Sequence, residues 1–228
     1  MTPSTAPLPG AVLLDYPFTG IWRVQMSPAH RLPSHGTELF GLRHAIDFVP
    51  VDESGRSAPI TWRTLTTAEP PEVFIGFGRP VLAPASGVVV RVHDGEPDHG
   101  ARRTLLPQIP YALTQARRGR GGAAALAGNH VVLALGGGGA AADHDPTRGP
   151  YVLLAHLKRG SIPVSPGDRV SAGDQLGHCG NSGNSTEPHL HVQVNSSRDP
   201  APGNALPVGW RSPGGGAVVP GENELIRI

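Results

Sequence analysis

Short runs of β-branched and aliphatic residues, each closed by a turn that contains glycine or proline, recur along most of this chain. Clear examples are the segments NHVVLAL, YVLLAHL and PHLHVQV. The 228 residues include 31 Gly and 25 Pro, which fall mainly where the apolar runs end, as turn residues do. Helical periodicity is almost absent. Many short strands with turn signals predict an all-β fold, a small barrel or sandwich.

The same pattern predicts three parts along the chain. Residues 1–33 form an irregular N-terminal arm, residues 34–198 the main domain, and residues 199–228 a tail that packs on the surface. Within the main domain, residues 95–128 interrupt the strand series and carry a basic run, which we interpret as an exposed insertion. The segment RPVLAPASGVVVRV has a turn between two β-rich runs, which predicts a β-hairpin.

Composition argues against several classes of function. Nineteen basic and 18 acidic residues give a net charge of +1, so we expect no nucleic-acid partner. No apolar run reaches the length of a membrane span. The single cysteine, Cys179, permits neither an internal disulfide nor a multi-thiolate zinc site, and we interpret it as an inert small residue in a turn. We see no signal peptide and expect a monomer.

Two histidines, His189 and His191, stand two residues apart in front of an alternating apolar run. In a β-strand such residues point to the same face of the sheet. One interpretation is a pair of solvated histidines on an exposed strand. The other is a metal ligand beside a group that transfers protons, and the pair alone does not decide between them.

Five segments occur in the order of a known family: PVLAPASGVVV, GNHVVLAL, YVLLAHL, VSPGDRVSAGDQLG and GNSGNSTEPHLHVQV. Over roughly Leu39 to Val194 the chain resembles peptidase family M23, the lysostaphin- and LytM-type zinc metalloendopeptidases. The resemblance implies an antiparallel β-sheet or barrel-sandwich hybrid core with long loop insertions and a groove over its sheet. It also implies Zn2+ at the groove floor and hydrolysis of peptide bonds in bacterial peptidoglycan. It suggests the cell envelope or secretion; without export the protein would be cytoplasmic.

The resemblance assigns roles to individual residues. Asp47 in AIDF and His191 resemble the zinc-binding aspartate and histidine of the family. His156 in LLAHL and His189 resemble the two histidines that handle the proton of the water and the oxyanion. The sequence does not divide these two roles between His156 and His189.

One position departs from the family pattern. A histidine usually stands four residues before the aspartate, where this chain has Arg43, and arginine stays protonated and cannot ligate zinc. His44 is an alternative, but three residues before Asp47 it would point to the opposite face of a regular strand. We favour His35, because a glycine-containing loop could fold it back over the site and some M23-like sequences share its SHGT segment.

Two nitrogen ligands and one oxygen ligand suit Zn2+ better than Mg2+ or Ca2+, and three protein ligands leave a position open for water. The leading hypothesis is therefore an active zinc endopeptidase acting on a peptide or on peptidoglycan. Arg43 motivates an alternative, an M23-like binding or regulatory module without catalysis. A second alternative is a phosphocarrier-like β-barrel domain, since such domains share the APxxG and GDxVxxG turns and use facing histidines.

Overall fold

The structure is a computed structural model that describes residues 3–61, 64, 67–103, 122–136 and 149–228. The helices with described bounds are the 3-10 helices η1 (Leu39–His44) and η2 (Pro71–Val73) and the α-helix α1 (Gly122–Ala127). The strands are β1 (Val12–Leu14), β2 (Ile21–Gln25), β3 (Ile46–Pro50), β4 (Pro80–Leu82), β5 (Gly87–His93), β6 (Asn129–Leu135), β7 (Tyr151–Leu157), β8 (Arg169–Val170), β9 (Gln175–His178), β10 (Leu190–Asn195), β11 (Val208–Arg211), β12 (Ala217–Val218) and β13 (Leu225–Arg227).

The largest sheet has eight strands in the order β13-β2-β3-β10-β7-β6-β5-β8, and every neighbouring pair is antiparallel. Two smaller sheets accompany it. One joins β4 and β9, and the other has the order β1-β11-β12, in which β1 and β11 run parallel. The prediction of an all-β, mainly antiparallel fold is confirmed.

Alternation along the central strands separates a core face from a second face. On β10 the apolar residues Leu190, Val192 and Val194 enter the main core, as do Ile46 and Phe48 of β3. The residues between them point the other way, because successive side chains of a strand leave opposite faces of the sheet. The candidate site residues on β3 and β10 stand on this second face.

An aromatic cluster anchors the core beneath the sheet. Phe18 stacks on Trp22 with ring centroids 4.4 Å apart, and Phe48 meets Trp210 edge-on at 5.0 Å. All four side chains are fully buried. Rings of this size each bury 150–250 Å2 of surface, so they contribute strongly to fixing β3, which carries Asp47, against the rest of the fold.

The predicted β-hairpin in RPVLAPASGVVVRV is wrong. Its two runs do become strands, β4 and β5, but they do not pair with each other. β4 pairs with β9, while β5 pairs with β6 and β8. The turn between them therefore carries the chain from one sheet to another.

The outer parts of the chain contribute strands as well. β2 and β13 extend the large sheet beyond β3, and β1 pairs with β11. Residues 104–121 of the predicted insertion, which include the basic run, lie outside the described residues, as does most of the β6–β7 connection, residues 137–148. Among the described residues, no helix has the length and apolar character needed to cross a membrane.

Cys179 lies in the main core and is fully buried. Burial raises the pKa of its thiol far above the ordinary range, so the nucleophilic thiolate is scarce. We expect native protein incubated with iodoacetamide to remain unmodified, as measured by mass spectrometry. The unfolded protein should be alkylated at one site, and rapid labelling of the native state would contradict this placement.

Candidate metal centre

The centre is built on a direct cross-strand pair. Asp47 of β3 and His191 of β10 are register partners in the antiparallel ladder, and Nδ1 of His191 lies 2.8 Å from Oδ1 of Asp47. Opposite residues of such a pair have Cβ atoms about 4.5–5.5 Å apart. The two strands therefore bring together residues 144 positions apart in the chain.

His35 reaches the same carboxylate from a loop. Its Nε2 lies 3.2 Å from Oδ2 of Asp47, and its ring centroid lies 5.0 Å from that of His191. One ligand atom from each of His35, Asp47 and His191 can be chosen so that all lie within 4.8 Å of one another. A carboxylate and two imidazoles at such separations could hold one cation.

The structure does not bring the alternative residue, His44, to this group. His44 ends η1 and lines a different cavity, together with Leu32 and Val208. Arg43 also points elsewhere, because its side chain is exposed and pairs with Glu38. The arginine in the family's usual ligand position thus places no positive charge in the centre.

Two further histidines complete the group. Nε2 of His189 lies 3.7 Å from Oδ2 of Asp47. The ring centroid of His156 lies 4.7 Å from that of His189 and 5.8 Å from that of His191. His35, His189 and His191 therefore surround one carboxylate, and His156 lies beside two of them.

His156 reaches this group through an irregularity in β7. Regular alternation would send its side chain to the core face with Leu154. However, Asn129 and Val131 of β6, which are two positions apart, pair with Leu157 and Leu154 of β7, which are three positions apart. His156, within this stretch, has φ 63°. An extra strand residue and a left-handed backbone are features of bulges that redirect a side chain, often beside active sites.

Hydrogen bonds fix the tautomers of the two histidines nearest Asp47. The Ser34 hydroxyl donates to Leu42 O, so its oxygen must accept from Nδ1–H of His35 at 3.0 Å. The Gln193 amide donates to Phe40 O, and its oxygen accepts from Nε2–H of His191 at 2.9 Å. In the neutral rings, Nε2 of His35 and Nδ1 of His191 then direct lone pairs at the carboxylate.

The other two rings are oriented in the same way. Nδ1 of His156 donates to Ser182 O at 2.9 Å, and Nδ1 of His189 donates to Glu187 O at 2.8 Å, with the Ser185 hydroxyl also in reach. Each neutral ring keeps Nε2 unprotonated. Polar partners of this kind fix the orientation and tautomer of histidines in metal sites.

The surrounding histidines lower the pKa of Asp47. Burial by itself would raise its pKa, but the charges of His35 and His189 and hydrogen bonds from His191 and His35 hold that pKa well below the usual range. Burial would lower the pKa of His191, but Asp47 and Gln193 raise it. Without a metal, the site thus favours a proton between the histidine nitrogens and the carboxylate of Asp47. A bound cation would displace that proton.

His156 behaves differently. Burial and the charges of His189 and His191 lower its pKa well below that of an ordinary histidine. A neutral imidazole with an unprotonated Nε2 can accept a proton. The arrangement therefore offers a proton acceptor beside a group of ligands.

A cleft of about 250 Å3 opens over the four histidines and Asp47. Phe40 and Leu42 of η1, and Ala123 and Leu126 of α1, line it. The backbone N–H of Asn184 donates to Leu126 O at 2.9 Å, which ties the loop before β10 to α1.

Several site residues were not recognised in the sequence. Gln193 could have been, since it lies two residues after His191 and so on the same face of a strand. Ser34, Ser182 and Ser185 gave no such signal, because they act from loops whose folding depends on distant contacts. His130 is buried, donates to Gly128 O and stacks on His93, and it does not line the cleft.

Residues 121–202 match the model of peptidase family M23. The catalytic domain of lysostaphin from Staphylococcus simulans is 19% identical, with 74% of this chain and 77% of that chain covered and a TM-score of 0.38. A putative peptidase M23 from Pseudomonas aeruginosa is 19% identical, with 89% and 51% covered and a TM-score of 0.39. A putative glycyl-glycine endopeptidase LytM from Ruminococcus gnavus is 18% identical, with 72% and 42% covered and a TM-score of 0.34. The chain thus spans about half or less of the last two.

The match over residues 121–202 confirms the resemblance to family M23 that was predicted from the sequence. The matched residues include His156, His189 and His191 but not His35 or Asp47. The match therefore covers the strands from β6 to β10. The proximity of their histidines to Asp47 is seen only in the structure.

Proposed function

We propose that this protein is a zinc-dependent endopeptidase that hydrolyses peptide bonds of bacterial peptidoglycan. The observation that carries the proposal is the convergence of His35, Asp47 and His191 within 4.8 Å. Two nitrogen ligands and one carboxylate oxygen match the three-ligand sites of catalytic zinc.

The donor set itself supports a cation. Hydrogen bonds from Nδ1–H of His35 and Nε2–H of His191 leave the lone pairs of both neutral rings facing the ionised carboxylate of Asp47. Three electron-rich atoms that face one another repel unless a positive charge lies between them. A zinc ion bound there would polarise the scissile carbonyl and lower the pKa of bound water.

The chain's own residues supply the proton transfer. His156 is held neutral by burial, so its Nε2 can accept the proton of an attacking water and later return it to the leaving amine. His189 is held through its Nδ1, which leaves Nε2 near the carboxylate. When protonated, that Nε2 would donate to the developing oxyanion.

The lining of the cleft bears on the substrate. Apart from Asp47 and the histidines, the described lining residues carry no ionisable side chain, and several are small or apolar: Ala123, Leu126, Ala127 and Leu153. A peptide segment of small, neutral residues fits such walls without burying an unpaired charge. Gly-containing bridges of peptidoglycan have this character.

The direct test combines metal analysis with hydrolysis. Purified protein should contain about one equivalent of zinc and release new amino termini from purified peptidoglycan. A chelator should stop the release and added zinc should restore it. A synthetic Gly-containing peptide, run in parallel, separates peptidase activity from preference for the cell wall. Protein without bound metal and without cleavage of either substrate would overturn the proposal.

His35 and His44 can be separated by a matched pair of variants. We expect His35→Ala to lower zinc affinity by at least about 100-fold, since it removes one of three ligands. His44→Ala also removes a buried imidazole but should leave the zinc affinity unchanged, because His44 lines another cavity. Equilibrium dialysis against zinc measures both. Loss of zinc only in the His44 variant would show that the ligand was misassigned.

The alternative of an inactive binding module depended on Arg43. Its guanidinium pairs with Glu38 outside the cleft, so it neither blocks nor replaces a ligand. A module of that kind would bind no zinc tightly, and calorimetric titration with zinc distinguishes it from the proposed enzyme.

A further inference from the structure

The 3-10 helix η1 contributes no ligand to the metal centre, yet it is connected to His35. The backbone carbonyl of Leu42 accepts the hydroxyl of Ser34 at 3.1 Å, and that oxygen accepts Nδ1–H of His35 at 3.0 Å. The hydroxyl has a single hydrogen, so the bond to Leu42 determines that Ser34 is an acceptor toward the ring. The orientation of His35 thus depends on a carbonyl of η1.

A second carbonyl of the same helix is connected to His191. Phe40 O accepts the side-chain amide of Gln193 at 2.9 Å, which leaves the amide oxygen to accept Nε2–H of His191 at 2.9 Å. An unrestrained amide could flip and present its NH2 group to the ring, which would favour the other tautomer. The bond to Phe40 prevents this flip.

The two carbonyls are aimed by an unusual backbone. Phe40 and Gly41 have φ of 58° and 70° and interrupt η1. A side chain at Gly41 would overlap the amide oxygen of Asn195 and approach Gln193 Nε2 to 3.3 Å. The close approach of η1 to β10 therefore requires glycine at this position.

We propose that η1 is a positioning element in which the turn at Phe40–Gly41 sets the ring orientation and tautomer of both His35 and His191. This inference rests on the proposed zinc site. One short turn then preorganises two ligands that come from a loop and from a strand on different parts of the chain. Gly41 is the residue on which both connections depend.

The test measures the zinc dissociation constant by competition with a chromophoric chelator. Ser34→Ala and Gln193→Leu each remove one connection and should weaken zinc binding by about 10–100-fold, the usual effect of losing such a partner. Ser34→Thr keeps the hydroxyl and should restore most of the affinity. Gly41→Ala should weaken binding at least as much as either single change.

Gly55→Ala is the matched control for backbone strain. Gly55 also has a positive φ, 77°, but a side chain there would meet no atom within 4 Å. It should leave zinc affinity unchanged and cost only the stability that the strained backbone itself removes. In the Gly41→Ala background, Gln193→Leu should add little further loss, because the two residues act through one connection.

A metal-free readout keeps the two proposals separable. Nitrogen-15 spectra, recorded at a pH where the rings are neutral, should show a single tautomer for each histidine: Nδ1–H for His35 and Nε2–H for His191. Gly41→Ala should convert both to mixtures. Wild-type protein that bound no zinc but showed these tautomers would remove the proposed function and leave the positioning role standing.

The outcome that overturns the positioning role is equally definite. It would be a folded Gly41→Ala protein with wild-type zinc affinity and both tautomers intact. If that variant does not fold, the Ser34→Ala and Gln193→Leu proteins decide instead. Unchanged zinc affinity and unchanged tautomers in both would contradict the role assigned to η1.

Discussion

Replacing His191 with alanine is expected to abolish zinc binding and to lower peptide hydrolysis by at least about 10³-fold, if a catalytic metal contributes several kcal/mol to the transition state. His191 is the register partner of Asp47 and faces it with an unprotonated Nδ1 in its neutral form. Without this imidazole, two ligands would remain, too few for a catalytic zinc site.

A thermal measurement separates loss of the metal from loss of the fold. Zinc that binds only the native state raises the melting temperature, so added zinc should stabilise the wild type and His44→Ala but not His191→Ala. The metal-free proteins should all unfold cooperatively. Zinc-dependent stabilisation of His191→Ala, with hydrolysis intact, would contradict the assignment.

The second large effect is expected at the two proton-transfer histidines. His189→Ala and His156→Asn should keep about one equivalent of zinc but lower kcat by about 10²–10⁴-fold, the range for general acid–base groups. Asparagine is chosen at position 156 because the backbone there has φ 63°, which Asn tolerates better than most residues. Its amide can also replace the hydrogen bond to Ser182.

Steady-state kinetics and metal analysis on the same preparations check this result. His30→Ala serves as the control, since that side chain is 52% exposed and its Nε2 lies 3.4 Å from Oε2 of Glu222, away from the cleft. Loss of zinc from the His156 or His189 variant would make that residue a ligand. Unchanged kcat would remove it from the reaction.

The central strands were predictable from local sequence. β6 and β7 have the bounds expected from the segments NHVVLAL and YVLLAHL, because continuous apolar runs closed by glycine or proline permit little else in a protein of this size. The pairing of β4 and β5 was not predictable. A turn signal shows that the chain turns, but the partner of β4 is β9, which follows almost a hundred residues later.

The candidate site likewise has features that the sequence predicts and features that it does not. The i, i+2 spacing places His189 and His191 on one face once β10 is recognised as a strand, and the family resemblance supplies Asp47 and His156. The glycine-containing loop indicated His35, but the hydrogen bonds that orient its ring run to η1, whose backbone is left-handed at Phe40 and Gly41. The direction of the His156 side chain depends on a bulge in β7. Neither departure from regular structure has a local sequence signal strong enough to predict it.

The central claim is that His35, Asp47 and His191 together hold one divalent cation. Crystals of the zinc-loaded protein, measured at the zinc absorption edge, test it most directly. We predict a single strong anomalous peak within about 2.0–2.2 Å of Nε2 of His35, a carboxylate oxygen of Asp47 and Nδ1 of His191. A peak at His44, or no peak among these three side chains, would contradict the claim.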